Sequence, residues 1–297
     1  RQRMQRPGVS AEATSPGSAT PVTFGCVGDV HAALGRLERA LAWLRGREPD
    51  ALLLVGDFTQ GLPDGWSPSL PVPADAYEAA APADADEAAA PAEAPADASR
   101  AASDDGGTRP ADTAPVRQAL ERARATGLPV LFVPGNHDVP RVPLEGNVDR
   151  RLVRIRGIRI FGIGGSGPAR MGFPYEWSDE ALAEVEVPER DLILAHAPPA
   201  DTGLDATQYG EHVGSRTIRA LAAGTEGALL CGHIHESPGV ERVEGCLCYN
   251  AGSLGAPHGR LQAGLLEMVP GAGRARARHF VHDPGAGWRC VAEGTTG

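Results

Sequence analysis

A layered α/β domain is the architecture that this 297-residue sequence predicts. Three observations point to it. Short apolar runs at Val22–Val27, Ala51–Val55 and Val130–Val133 have the length and composition of buried strands. Between them, Leu34, Leu37, Leu41 and Leu44 recur at helical spacing, and a second helix is predicted near Val116–Ala125. Beyond residue 150 the strand-like runs follow one another more closely, as in a sheet-rich second half.

Taken in order, residues 1–20 are rich in Arg, Ser, Pro, Gly and Ala, and are expected to form a disordered tail. The first strand, helix and second strand follow. From about 62 to 114 the chain turns to Ala, Pro, Asp and Glu with near-repeats such as PADA and EAAAP, and frequent prolines break any long helix. That composition cannot build a core, so it is read as a disordered surface insert within one domain spanning 21–297. An acidic interaction arm or lid is the alternative. After the insert come the helix near Val116–Ala125, a strand at Val130–Val133, and two strands, Leu152–Ile155 and Arg159–Gly162, joined by Arg156-Gly157. Leu192–Ala195 is a further buried strand. A helix near Arg216–Ala222 and a strand at Ala228–Cys231 come next, and then strands at Val240–Val243, Cys246–Tyr249, Gly264–Val269 and Arg276–Val281. Aromatic residues are only 5% of the chain, so the core is expected to be aliphatic.

Charge narrows the range of partners. The segment from Asp64 to Asp112 holds eleven acids and two arginines, which account for nine of the ten net negative charges. The remainder is close to neutral and lacks the basic excess of a duplex-binding protein. No run of about 18 apolar residues predicts a membrane span. The first residues show no secretory h-region, and five cysteines at 26, 231, 246, 248 and 290 make no paired framework. Reduced thiols in a cytoplasmic protein are the expectation. Cys246 and Cys248 share one strand face, which suits packing; a soft-metal pair is the sharper alternative.

The chemistry lies at the strand ends. The first strand runs into Gly28-Asp29-Val30-His31, the second into Gly56-Asp57 and the third into Gly135-Asn136-His137-Asp138. Leu192–Ala195 leads to His196, and Ala228–Cys231 leads to Gly232-His233-Ile234-His235. In open α/β sheets, sites form at the carboxyl ends of strands, so these five ends are expected to converge. Asp, Asn and His offer oxygen and imidazole nitrogen, a mixture suited to Mn, Fe, Zn or Ni rather than to calcium or a thiolate cluster. Seven such residues exceed the needs of one ion, whereas two ions bridged by a carboxylate use them economically. The glycines beside them allow tight turns and close backbone approach.

This ordered set, Asp29-x-His31, Gly56-Asp57, Gly135-Asn136-His137-Asp138, His196 and Gly232-His233-x-His235, resembles the calcineurin-like metallophosphoesterases from about Val22 to Gly255, interrupted by the acidic insert. The stretch HAPPADTGLD at His196–Asp205, with GEHVGSRTIRAL and GHIHES, is similar to the predicted bacterial and archaeal phosphoesterases related to metallophosphoesterase-domain proteins. The resemblance implies a four-layer αββα sandwich of two mixed sheets flanked by helices. It implies that Asp29, His31 and His235 bind one metal, that Asn136, His196 and His233 bind a second, and that Asp57 bridges them with a water or hydroxide between. It gives His137 the role of stabilising the phosphoryl oxygen or protonating the leaving group, with Asp138 orienting it. Small phosphoesters, phosphodiesters such as cyclic nucleotides among them, are the implied substrates. A metal-dependent nuclease is the competing enzyme; a non-catalytic scaffold contacting partners through the acidic arm is the competing class.

Residues outside these motifs carry less. His212 precedes a helix that Ser215 could cap, a place that favours phosphate, so it is a candidate substrate contact alongside Asn136. Asn250 either buttresses the metal loop or serves a turn. Arg170, Phe173, Tyr175 and Trp177 either line a substrate mouth or pack as a loop. Arg274, Arg276 and Arg278 read as a solvated strand face, and His258, His279 and His282 receive no role.

Overall fold

A computed structural model of the chain describes residues 20–60, 113–168 and 171–296. The expected tail at 1–20 and insert at 62–114 lie outside these residues except for positions 20, 113 and 114, and Arg170 lies outside them as well. Twelve strands and four helices are formed among the described residues. One six-stranded sheet has the order β12(Gly287–Thr295), β11(Arg274–Asp283), β10(Gln262–Val269), β1(Val22–Val27), β2(Ala51–Leu54), β3(Val130–Phe132). The other has the order β4(Leu152–Ile155), β5(Ile158–Ile163), β6(Leu192–Ala195), β7(Ala228–Cys231), β9(Cys246–Asn250), β8(Gly239–Val243). Both are mixed: β1, β2 and β3 run parallel, as do β5, β6, β7 and β9, with antiparallel strands outside them.

Period-two alternation sorts the side chains into layers. Phe24, Cys26, Ala51 and Leu53 from the first sheet meet Ile158, Ile160, Leu192, Leu194, Leu230 and Tyr249 from the second in a central core. The alternate residues Leu52 and Leu54 face outward, onto Leu37, Leu41 and Leu44 of α1(Leu34–Arg45) and Val116, Ala119 and Leu120 of α2(Ala114–Arg124). Ile193, Leu229, Cys231, Cys246 and Cys248 face out on the second sheet, with Leu182 of α3(Asp179–Ala183) and Ile218 and Ala222 of α4(Arg216–Ala223). The expected αββα order is therefore present, and the Cys246/Cys248 pair packs in an apolar layer. No helix among the described residues is long and apolar enough to cross a membrane.

Two elements have no counterpart in the sequence reading. The edge strand β12 is mostly exposed or half-buried, so it carries no apolar period, and its pairing with β11 defines it. Helix α3 has five residues, too short for a helical period, although Ser178 caps it by accepting from Ala181 N. Arg274, Arg276 and Arg278 lie on one face of β11, and Arg276 and Arg278 pair with Glu293 and Glu267 on the flanking strands, as expected of a solvated face.

A candidate metal centre at the strand ends

The carboxyl ends of β1, β2, β3, β6 and β7 deliver their side chains to one buried place. Two sets of potential ligand atoms gather there, each within 4.8 Å of one another: Asp29, His31, Asp57 and His235, and Asp57, His196 and His233. Asp57 belongs to both. Asn136 joins the second set, its Oδ1 lying 2.8 Å from His196 Nε2. All seven residues named from the sequence are thus brought together.

The loops that carry them are knitted by the same carboxylates. Asp29 Oδ2 accepts from His233 N at 2.8 Å, and Asp57 Oδ1 accepts from His137 N at 2.9 Å. Val30 N and His31 N both donate to Asp57 O, at 3.0 and 2.7 Å. Such tight turns hold His31, Asp57 and His233 at φ of 41°, 44° and 69°, a left-handed region costing non-glycine residues about 1–3 kcal/mol each. Close approach explains two of the glycines. A Cβ on Gly135 would stand 2.1 Å from Asp57 Oδ1, and one on Gly232 would stand 2.4 Å from Asp29 Oδ1.

Backbone carbonyls aim three of the imidazoles. Nδ1 of His31, His196 and His235 lies 2.9, 2.6 and 2.9 Å from the carbonyls of Thr59, Val55 and Pro257. Each Nδ1 therefore carries a hydrogen, which leaves Nε2 as the nitrogen turned inward for ligation. His31 Nε2 and His235 Nε2 then face each other at 3.0 Å, an arrangement that repels when both are bare. Asp29 Oδ1 is buried with no hydrogen-bond partner. A divalent cation relieves both conditions, so the residues present fit a metal.

The electrostatics agree. Burial alone would raise the Asp57 carboxyl, but the imidazoles of His196, His137 and His31 outweigh it and hold the group well below the usual carboxylate range. Burial opposes charge on His196, yet Asp57 and then Asp29 push it up to about 9. Burial, then the charge of His196, pushes His233 down to about 3. His235 is raised by its bond to Asp29 against the effect of burial.

Asp138 is buried, and its carboxyl is raised by burial and then by the charge of Asp57. Its oxygens accept from Phe58 N at 3.1 Å, Thr59 N at 3.0 Å, Thr59 Oγ1 at 2.9 Å and Gly135 N at 2.9 Å. It thereby staples the Asp57 loop to the loop of Asn136 and His137, a role that sequence reasoning did not foresee. His137 itself is half-buried beside the ring of His31, centroids 5.1 Å apart and nearly perpendicular.

Other candidates separate. Asn250 donates to Leu204 O and to Ile234 O, between His233 and His235, so it buttresses the metal loop. Tyr175 and Trp177 are buried; Tyr175 OH reaches Asp149 and Trp177 Nε1 reaches Gly164 O. That loop is packed, and of its aromatics Phe173 stands beside the site, its ring 4.4 Å from that of His137. His212 belongs to neither ligand set. Its Nδ1 is 2.7 Å from the buried Asp205, which raises its pKa, and it lines a separate cavity of about 280 Å³ with Asp179, Asp201 and Arg216. Its loop is nonetheless tied to the metal loop, because Gln208 N donates to Glu236 at 3.0 Å. The aiming carbonyls of Val55, Thr59 and Pro257 left no sequence signal, since every residue type has a carbonyl.

The sequence profile of the calcineurin-like phosphoesterases matches residues 22–237. An uncharacterised protein of Methanocaldococcus jannaschii, MJ1162, is 31% identical over 136 residues, which is 41% of this chain and 62% of that protein. This chain therefore spans under two thirds of that relative's length. One solved structure, 15% identical and matched over 84% of this chain and 95% of its own, superposes with a TM-score of 0.51 and shares the fold. A dimetal phosphatase from Danio rerio is 12% identical over 93% of this chain and 98% of its own, with a TM-score of 0.49.

Proposed function

The chain belongs to the calcineurin-like phosphoesterase family, and on that premise we propose that it is a hydrolase of small phosphoesters that works with two divalent ions. One observation carries the reading: two sets of candidate ligand atoms share the carboxylate of Asp57, with His137 bonded through its backbone N–H to that same carboxylate. Asp29, His31, His235 and Asp57 would hold one ion, and Asn136, His196, His233 and Asp57 the other. Mn, Fe, Zn and Ni all suit this nitrogen and oxygen set. When bound, such ions supply Lewis-acid neutralisation of the phosphoryl charge and acidify water within the site.

The chain's own residues do the rest. Carbonyls of Val55, Thr59 and Pro257 fix the imidazoles so that no reorganisation is needed on binding. The Asp138 staple fixes the spacing of the two loops. As a water oxygen bonds to phosphorus, the bond to the leaving oxygen breaks, and His137 donates a proton to that oxygen. Asn136 contacts substrate from within the site and His212 from the neighbouring loop. Substrates are small phosphoesters, phosphodiesters among them. The cytoplasm suits this protein, since four of its five free cysteines are buried.

The test is direct. Metal-free protein is reconstituted with Mn, Fe, Zn, Co or Ni, bound metal per chain is measured, and nitrophenyl phosphate mono- and diesters are supplied. Two ions per chain and release of nitrophenol with at least one metal are expected. Inactivity with every metal on both substrate types would refute the reading.

A further inference from the structure

Phe173 stands against a proposed catalytic group. Its ring centroid lies 4.4 Å from that of His137, with the planes tilted by 46°. The loop that carries it is bolted to the turn that carries His137. Gly165 N donates to Pro134 O at 2.9 Å and Tyr175 N to Asn136 O at 3.1 Å. The buried Glu176 folds the tip by accepting from Gly172 N at 2.8 Å and Met171 N at 3.2 Å. Tyr175 and Trp177 fill the core on either side of Glu176. Phe173 is therefore tied by backbone bonds to the turn that carries the imidazole it touches.

His137 has a second ring neighbour, His31, but that side chain already serves the metal set and is fixed by Thr59 O. Phe173 has no polar group to give to metal or substrate, and its contact with the imidazole is steric and dispersive. We propose that Phe173 is a positioning residue that sets the orientation of the His137 ring toward the leaving group. This inference rests on the phosphoesterase reading and deepens it. In the reaction, water gives its oxygen to phosphorus and its protons to the site and solvent, while the leaving oxygen keeps the electron pair of the broken bond. An alkoxide leaving group must take a proton from His137 as that bond breaks; a nitrophenolate leaves without one. Orientation of the imidazole thus matters for the first and little for the second, and a misplacement of about 1 Å costs on the order of 100-fold.

The experiment compares kcat and KM of the metal-loaded wild type with Phe173→Ala and Phe173→Tyr. The two substrates share one phosphoryl group and differ in leaving group, an alkyl alcohol against p-nitrophenol. Phe173→Ala should lower kcat on the alkyl ester roughly 10- to 100-fold with KM within about twofold, shifting the ratio of the two kcat values at least about fivefold. Phe173→Tyr, which keeps the ring, should restore most of it. In a His137→Ala background, Phe173→Ala should cost nothing further. Bound metal and melting temperature, measured for each variant, confirm folding; Phe173→Leu serves if the alanine variant fails to fold. Equal losses on both leaving groups, a loss that persists without His137, or no loss while the wild type turns over would each overturn the inference and leave the phosphoesterase reading standing. Inactivity of the wild type itself with every metal would sink that reading and this inference with it.

Discussion

His279 lies far from the ligands in sequence and received no role from it, yet it makes the sharpest stability prediction. The side chain is 1% exposed, between the two sheets. Gln262 Oε1, 3.1 Å from Nε2, accepts its hydrogen, and the Gln262 amide donates to Ser253 O at 2.8 Å. Nδ1 is left as an acceptor for Tyr249 OH at 2.9 Å. A second proton would place a charge in an apolar core and oppose the tyrosine hydroxyl, and burial pushes the group down to about 4 from its ordinary 6.5. The sign follows from linkage. The folded pKa lies below the unfolded one, so the unfolded chain takes the proton first as pH falls. Stability from this group is full above about pH 6.5 and is lost as pH falls toward about 4. At about 1.36 kcal/mol per pKa unit the whole effect is about 3 kcal/mol, of which about 2 kcal/mol is gone by pH 5. Urea unfolding of the wild type and of His279→Gln, in chelator at about pH 7.5 and about pH 5, isolates it, because every other titrating group cancels in the difference. The stability advantage of the wild type should shrink by about 2 kcal/mol at the lower pH. Parallel behaviour of the two proteins would refute the reasoning.

Two further predictions concern the metal centre. Gly232→Ala should fold but lose at least about tenfold in metal affinity, because its Cβ would stand 2.4 Å from Asp29 Oδ1; titration calorimetry with Mn reads it, and unchanged affinity contradicts the packing argument. In metal-free protein His196, raised to about 9, is protonated at neutral pH, and ligation must expel that proton. Calorimetry in buffers of different ionisation enthalpy should show proton release at pH 7 that fades above about pH 9, with apparent affinity rising up to about tenfold per pH unit between; pH-independent binding would show that the imidazole is already neutral.

The local pattern made much of this molecule legible. Period-two and helical apolar spacing located eleven of the twelve strands and three of the four helices among the described residues, because burial on one face leaves a mark in the sequence. The strand ends named all seven candidate ligands, since each lies at or just beyond the end of an apolar run, and Gly28, Gly56, Gly135 and Gly232, beside Asp29, Asp57, Asn136 and His233, leave no room for a Cβ. What failed to show has a physical cause in each case. Edge strand β12 buries too little to be periodic, and α3 is capped rather than amphipathic. The carbonyls that aim His31, His196 and His235 belong to backbone, which carries no sequence signature.

Sequence by itself determined the layered α/β class and the family and named the candidate ligands, because strand periodicity and short motifs are local properties of the chain. Tertiary structure alone decided that Asp138 staples two loops, that Phe173 faces His137 while Tyr175 and Trp177 turn into the core, and that His279 closes a polar chain between the sheets. Those facts depend on which loops meet after two sheets have stacked. Contacts between residues tens to hundreds of positions apart are set by packing the layers, not by any pattern along one segment of chain.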